Sequence, residues 1–547
     1  MVLIDKQTVS METRDGVRLD ADVYSPQKKG PYPVLLMRQP YGRAIASTVV
    51  YNHPSWYATQ GYLVVIQDVR GRGSSQGEFD LFAKEIEDGY DSVIWASQLP
   101  GSTGEVGMYG FSYQGMTQLY AAIANPSPLK TICPAMIAGD LYADWAYEGG
   151  AFCLQTNLAW GIQLAAETAR LKGDEGAFNR FYRASRHLPL HNSQPIRPHI
   201  LRELAPDSFY HQWLDCPPQD PYWQELSPQR FLERVTLPML HIGGWFDTYL
   251  RGTLRLYKQM AQRESLQHLI IGPWGHLPWG RKVGSKDYGR AAISPIDELQ
   301  IRWFDYFLKG KDTGIKQEKP VRLFEMGSNQ WQYYTDFPDN SQQTYYLVSN
   351  GLASVREDGG KLCQAPNPNP SLDFLVSDPW RAVPSLGGHA SFPTGSFERS
   401  SIDIRSDVLT YTSEPLQEDL HIVGTVVVEI YYIADAPSFD ICPILSEVQT
   451  NGEVYNFSQG YRRVDGDELP IKIPLQPTSM LIRKGNALRL SLSATCFPAY
   501  AINPGTGTPP GETTLMESRV ITLTVNHNQN SVCRLLIPFD SNKVAIE

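Results

Sequence analysis

The sequence predicts an α/β fold with a largely parallel sheet, interrupted by a helical insertion and followed by an all-β sandwich or jelly roll. Three observations predict it. Continuous apolar runs alternate with helix-spaced segments over the first third of the chain. The strand pattern then lapses from about 141 to 235 and resumes. Beyond about 320 the helical spacing largely stops, and short strand-like runs are separated by loops rich in Pro, Gly and Asn. Alternating buried strands and helices give a parallel sheet covered on both faces. Many short strands with turn signals give a sandwich or barrel.

Taken in order, VRLDADVYSP (17–26) alternates like a half-buried strand. YPVLLMRQP (32–40) and GYLVVIQDV (61–69) are continuous apolar runs closed by polar or proline residues, as in a strand buried on both faces. EIEDGYDSVIWASQLP (85–100) has helical spacing and stops at a proline. VGMYGFSYQGMTQLYAAIA (106–124) begins as strand and continues as helix, with Ser112 at the joint, and LKTICPAMIA (129–138) is the next strand. DWAYEGGAFCLQTNLAWGIQLAAETARL (144–171) reads as one helix. The strands LPMLHIGGWFD (237–247) and LQHLIIGPWGH (266–276) flank a helix at 251–262, and PIDELQIRWFDYFLKG (295–310) reads as the last helix. Segments such as VRLFEM, TYYLVS, TVVVEIYYIA and ALRLSLSA are strands of the β region, and 350–371 reads as a long surface loop. The expected domains are therefore an α/β domain from 1–140 and 236–320, a helical cap at 141–235, and a β-sandwich at 321–547.

Length supports this division, because 547 residues exceed one hydrophobic core. The formal charge of −10, from 48 basic and 58 acidic residues, argues against nucleic acid or an anionic membrane as the main partner. Seven scattered cysteines form no C-x-x-C pair, so neither a zinc site nor a disulfide framework is expected. No apolar run suggests a signal peptide or a membrane span, and a cytoplasmic location is the default expectation.

A strand that ends in Gly-x-Ser and runs straight into a helix has the form of the nucleophile elbow of α/β-hydrolases. The corner pushes the serine hydroxyl off the sheet edge, and the following N–H groups lie at a helix N-terminus, where they stabilise an oxyanion. The general pattern wants glycine two residues after the serine; this chain has Gln114 there and Gly115 one later. The alternative is that Ser112 only caps a helix. A serine nucleophile needs a base and an orienting acid, which in this fold follow in the order Ser, Asp or Glu, His. Asp247 ends one late strand and His276 lies on the Gly/Pro/Trp-rich loop after the next. His241 and His268 lie in or beside apolar strands, and the other histidines fall in the cap, the β region or far upstream, so His276 alone has the position expected of the base.

GFSYQG, GGWFD and IGPWGH, with RQPYGR (38–43), DVRGRGSSQGEF (68–79) and RSDVLTYTSEPL (405–416), resemble motifs of the cocaine esterase and X-Pro dipeptidyl-peptidase family of α/β-hydrolases (S15, CocE/NonD), which also includes α-amino-acid ester hydrolases and glutaryl-cephalosporin acylases. In that family the serine motif reads Gly-x-Ser-Tyr-x-Gly, as here. The resemblance implies that the Tyr41 hydroxyl and the Tyr113 backbone N–H hold the oxyanion. It also implies that Trp145, Trp160 and Tyr249 line an acyl pocket, with simple core packing as the alternative for each. The resemblance implies an α/β-hydrolase domain with an inserted cap and a C-terminal jelly roll. The family's amino-ester hydrolases carry extra acids just after the catalytic Asp; DTYLRG (247–252) has none, which counts against an α-amino ester substrate. Asp144 and Glu148 in the cap are the candidate substitutes.

The glycines of RGRGSSQG (70–77) fall as G-x-G-x-x-x-G and precede no Lys-Ser/Thr pair, so the loop is not read as a nucleotide site. Asp68, Arg70 and Arg72 in and beside it are expected to make internal ion pairs. The expected function is a serine hydrolase for esters, or amides, of small hydrophobic acids, with a Ser112–His276–Asp247 triad and no metal or cofactor. The expected partner is a small ester or amide rather than nucleic acid or membrane, and self-association is left open. The alternatives are an X-Pro dipeptidyl-peptidase or β-lactam/glutaryl acylase with the same triad, and, from another class, an inert carbohydrate-binding protein.

Overall fold

The computed structural model describes residues 3–540 apart from 29, 45–47, 193, 339–340, 367–368, 467 and 529–530. Its first layer is a ten-stranded sheet in the order β1-β2-β4-β3-β5-β6-β9-β10-β13-β14. The strands are β1 Ile4–Glu12, β2 Arg18–Pro26, β3 Tyr32–Gln39, β4 Leu63–Asp68, β5 Ser102–Phe111, β6 Leu129–Ala135, β9 Met239–Phe246, β10 Gln267–Gly275, β13 Val321–Glu325 and β14 Gln330–Tyr334. Two-residue hairpins, β7/β8 at 147–152 and β11/β12 at 282–287, lie outside it. From β4 to β13 neighbouring strands run parallel; the two edges are antiparallel. The continuous apolar runs are the parallel strands: every residue of β4, β9 and β10 is buried, as a strand covered on both faces requires.

Helices cover both faces. α2 Glu85–Ser97 and α3 Tyr113–Ala124 pack through Val93, Ala96, Leu119 and Ile123 on one side. α1 Pro54–Thr59 and α10 Ile296–Lys309 pack through Tyr57, Trp303, Phe304 and Leu308 on the other. α9 Leu250–Met260 links β9 to β10. Between β6 and β9 stand five cap helices, α4 Leu154–Leu171, α5 Glu175–Arg186, α6 His199–Leu204, α7 Phe209–Asp215 and α8 Pro221–Leu226. Among the described residues no helix is long and apolar enough to cross a membrane.

The remainder of the chain forms a twelve-stranded and a three-stranded sheet. Their interior is continuous with the first domain: Trp245, Leu250, Leu323 and Phe324 belong to one apolar core with Leu409, Val428, Leu490 and Ile537. The α/β-hydrolase class with a cap and a C-terminal jelly roll is therefore the observed architecture.

Three local expectations change. The first sheet continues past 320, because β13 pairs in parallel with β10 and β14 folds back on β13; alternating polarity does not say which sheet a strand joins. The helix expected from 144 starts at Leu154. Gly149 and Gly150 take φ of 53° and 85°, and a Cβ on Gly149 would lie 2.0 Å from the Tyr461 carbonyl oxygen, so the chain turns there against the jelly roll. The loop expected at 350–371 contains the strand Gly360–Cys363, which pairs with Ser341–Ser349 on one side and Leu409–Ser413 on the other.

Candidate active site

Ser112 stands between the last residue of β5 and the first of α3, with φ 59° and ψ −126°. A non-glycine residue held there stores backbone strain, which the surroundings must over-determine. They do. The Ser112 N–H donates to the Ala135 carbonyl at 2.9 Å, and its own carbonyl accepts from Gly115 and Met116 at 2.9 and 3.0 Å. A Cβ on Gly110 would come within 2.4 Å of Gln114 Cβ, and one on Gly115 within 2.3 Å of Ile137 Cγ2. The two glycines are thus the points where α3 crosses its neighbours most closely. Gln114 fits because its side chain turns back, its Oε1 accepting from the Phe111 N–H at 3.3 Å. The Ser112 side chain makes no capping hydrogen bond to α3, so the helix-cap reading of this residue fails.

Asp247 follows β9 and is fully buried. His276 follows β10, and its Nδ1 lies 2.8 Å from Asp247 Oδ1. Donation from Nδ1–H to a carboxylate leaves Nε2 as the acceptor, the tautomer a general base needs. The imidazole packs beside Phe111, the residue before Ser112, at a centroid distance of 5.4 Å, and edge-on to Tyr249 at 4.9 Å. Ser112 and His276 share no hydrogen bond in this structure; such bonds commonly tighten only when substrate binds.

Tyr41 lies just past β3, its N–H held by Gln39 Oε1 at 3.0 Å. Its hydroxyl faces the side chains of Ser112 and Trp160. Burial pushes its pKa up to about 12, against the opposing pull of Trp160, Arg72 and Ser112, so it stays a proton-bearing donor at neutral pH. The Tyr113 side chain points away, its hydroxyl donating to Glu85 Oε1 at 2.9 Å and its ring stacked on Phe82 at 4.6 Å. The Tyr113 N–H is the first of α3. Trp160 stacks on Trp213 at 5.4 Å, with its side chain toward the Tyr41 hydroxyl. Trp145 is 5% exposed and wedged among Trp160, Trp213 and Trp223, as a core residue is. Tyr41, Trp160 and Tyr249 are only partly buried and pack on the same apolar cluster as Trp145 and Tyr113.

The two cap carboxylates are both engaged. Asp144 Oδ1 lies 3.1 Å from Arg255, and its Oδ2 accepts from the N–H groups of Gly139 and Asp140. Glu148 meets Arg251 at 2.8 Å, His389 Nε2 at 2.8 Å and the Tyr500 hydroxyl at 2.6 Å. Burial would raise the Glu148 pKa, but Arg251 and His389 outweigh it and draw it down to about 2.

The loop at 70–77 departs from expectation in one residue. Asp68 pairs with Arg43, and Arg70 with Asp88 at 2.7 Å and Asp15 at 2.9 Å. Arg72, among the described residues, has no carboxylate partner. Charge alternation in sequence does not reveal which cation is left over.

The family resemblance suggests that the jelly roll helps close the site, but the sequence reading names none of the residues through which it does so. Gln476 Nε2 donates to the Asp247 carbonyl at 2.7 Å, and Thr248 Oγ1 donates to the His389 carbonyl at 2.7 Å. A Cβ on Gly275 would lie 2.2 Å from Thr394 Oγ1, so this domain also presses on the His276 loop. These residues follow the loops they touch by more than a hundred positions, and nothing local in sequence marks them.

Comparison with known proteins shows the family. Residues 15–278 match the model of the X-Pro dipeptidyl-peptidase (S15) family, and residues 313–532 that of the X-Pro dipeptidyl-peptidase C-terminal non-catalytic domain. The chain is 31% identical to cocaine esterase of Rhodococcus sp. (strain MB1 Bresler), covering 91% of this chain and 92% of that one. Solved structures of like fold include an aminopeptidase from the marine sediment archaeon Thaumarchaeota archaeon, with TM-score 0.84, 22% identity and coverage of 98% and 96%. An α-amino acid ester hydrolase gives TM-score 0.78, 20% identity and coverage of 98% and 97%. The chain therefore belongs to the X-Pro dipeptidyl-peptidase (S15) family of hydrolases, together with cocaine esterase.

Proposed function

We propose that this chain is a serine esterase acting on carboxylic esters through an acyl-enzyme. The observation that carries the reading is the buried Asp247–His276 hydrogen bond beside the strained Ser112 corner, with the Tyr41 hydroxyl facing that serine. His276 Nε2 takes the Ser112 hydroxyl proton as Oγ attacks the ester carbonyl. The negative charge that moves onto the carbonyl oxygen is held by the Tyr41 hydroxyl and the Tyr113 N–H. The imidazolium then returns its proton to the leaving alcohol. Water, deprotonated by His276, attacks the acyl-enzyme and releases the acid and Ser112.

The state of the cap carboxylates favours esters over substrates with a free ammonium group. Asp144 and Glu148 are held by Arg255 and Arg251, and Thr248, Tyr249 and Leu250 follow the acid. The ammonium of an α-amino ester or an X-Pro peptide thus finds no free carboxylate at these positions.

A fluorophosphonate probe is expected to label Ser112. Phenyl butyrate or phenyl benzoate is expected to exceed an X-Pro anilide and an α-amino ester in kcat/KM by at least about 100-fold. The reverse ranking assigns a peptidase, and absent labelling supports the inert binding protein. Tyr41→Phe is expected to lower kcat by about 10²–10³-fold with KM little changed, the loss associated with one oxyanion donor. A kcat within a factor of about 2 of wild type removes Tyr41 from the mechanism.

A further inference from the structure

Among the described residues, four arginines are almost wholly buried: Arg38, Arg72, Arg399 and Arg489. Three of them face carboxylates. Arg38 pairs with Glu85, Arg399 with Asp403 at 2.9 Å, and Arg489 reaches Asp403 at 3.6 Å. Arg72, 2% exposed, is the exception. Its guanidinium lies 3.9 Å over the Phe79 ring, Nη1 donates to Thr168 Oγ1 at 3.0 Å, and Nε has no acceptor. Glu167, the cap acid whose charge acts on Arg72, is already held by both Nε and Nη2 of Arg170, at 2.8 and 2.7 Å. A buried cation without a counter-ion is strongly unfavourable and persists where something else requires it.

Its position relates it to the serine. Thr168 lies on α4, about two turns beyond Trp160 on the same helix. Phe79 packs on the apolar cluster that carries Tyr41 and Trp160, with its ring 6.1 Å from that of Tyr113. The Arg72 charge reaches Tyr41, drawing down the pKa of its hydroxyl. Burial lowers the Arg72 pKa to about 10, which leaves it charged at neutral pH.

We propose that Arg72 is the recognition residue for a carboxylate on the substrate, so that the preferred esters carry a second acid group on the acyl side. The guanidinium is kept flat by Phe79 and tethered by Thr168, and its free N–H matches a carboxylate oxygen in a site where water competes weakly. The cap side, where Trp160 meets the Tyr41 hydroxyl, is taken as the acyl side, in line with the acyl-pocket position expected of Trp160. This inference rests on Ser112 being the nucleophile, and it names the substrate class of that site.

The test compares phenyl half-esters of succinate, glutarate and adipate with phenyl esters of neutral acids of the same chain lengths. A third arm places the carboxylate on the alcohol, as in the butyrate ester of 3-hydroxybenzoate. Wild type is expected to favour a half-ester over its neutral counterpart. Arg72→Gln is expected to reduce that preference about 10- to 100-fold in kcat/KM while changing the neutral ester less than about 3-fold, and Arg72→Lys to restore part of it. In a measurement that needs no variant, glutarate or adipate is expected to inhibit neutral-ester hydrolysis by the wild-type chain competitively, and the corresponding monoamide not to. A preference carried only by the alcohol-side arm overturns the acyl-side assignment. Equal losses on charged and neutral esters, or no preference in wild type with neutral esters still turned over, overturns the role of Arg72 alone. Failure to hydrolyse any ester overturns the esterase reading first and this inference with it.

Discussion

Ser112→Ala is expected to lower the turnover of phenyl butyrate by at least about 10³-fold while leaving the fold intact. The loss follows from removing the attacking oxygen, since the oxyanion donors and the binding walls remain and give only residual catalysis. The intact fold follows from local geometry. The strain of the corner is a property of its φ of 59°, which alanine suffers no more than serine does. The serine side chain caps nothing, and the hydrogen bonds that fix the corner use the backbone N–H and carbonyl of residue 112. Thermal midpoints of variant and wild type should therefore agree within about 1 °C, roughly the shift that a loss of about 1 kcal/mol produces in a chain of this length. Full turnover by a folded Ser112→Ala chain would sink the mechanism. A collapse in stability would show instead that the hydroxyl has a structural task that the corner does not reveal.

Much of this arrangement was legible in the sequence, and the parts that were not share a physical cause. Strands β3, β4, β9 and β10 announce themselves because a strand buried on both faces must be apolar throughout. Ser112, Asp247 and His276 announce themselves because each terminates such a strand, where a parallel sheet presents its loops on one edge. β13 was read as a strand but given to the wrong sheet, since the pairing partner is decided by topology and not by local pattern. The helix start at Leu154 was hidden because Gly149 and Gly150 turn against Tyr461, a contact between residues more than three hundred positions apart. Arg72 was read as one member of an ion-pair cluster, and only the geometry shows which arginine lacks an acid.

The same holds for the jelly roll. The family model describes this domain as non-catalytic, and it supplies none of the proposed reacting groups. It nevertheless fixes the backbone of the two loops that carry Asp247 and His276, through Gln476 on Asp247, His389 on Thr248 and Thr394 against Gly275. A carboxylate and an imidazole must be held to within a fraction of an ångström to act together. Loops at the edge of a sheet are mobile by default, and a second domain packed on them limits that freedom. The shared apolar core through Trp245 and Leu323 makes the clamp part of the fold rather than a separate docking event.

Asp247→Asn tests whether the acid acts through the tautomer of the base, and it is expected to lower kcat about 10⁴-fold. In the wild-type chain, Oδ1 accepts from His276 Nδ1 at 2.8 Å, and Oδ2 is buried without a partner. The two orientations of the asparagine amide differ. With its oxygen toward Nδ1 the tautomer survives, but the negative charge that stabilises the imidazolium is gone. With its NH₂ toward Nδ1, that nitrogen must accept, the proton moves to Nε2, and the lone pair that would take the Ser112 proton is lost. Either orientation slows the attack, and the second nearly stops it. Stability should change little in the direction of loss, because the substitution replaces a buried carboxylate with a neutral group of the same shape, and Gln476 still donates to the unchanged backbone carbonyl. The two measurements are kcat for a neutral phenyl ester and the rate of fluorophosphonate labelling, and both should fall together because each needs a deprotonated Ser112. A variant that keeps kcat within about 10-fold of wild type would mean that His276 does not depend on Asp247 for its tautomer or charge, and the role of Asp247 in orienting and charging the imidazole that takes the Ser112 proton would have to be abandoned.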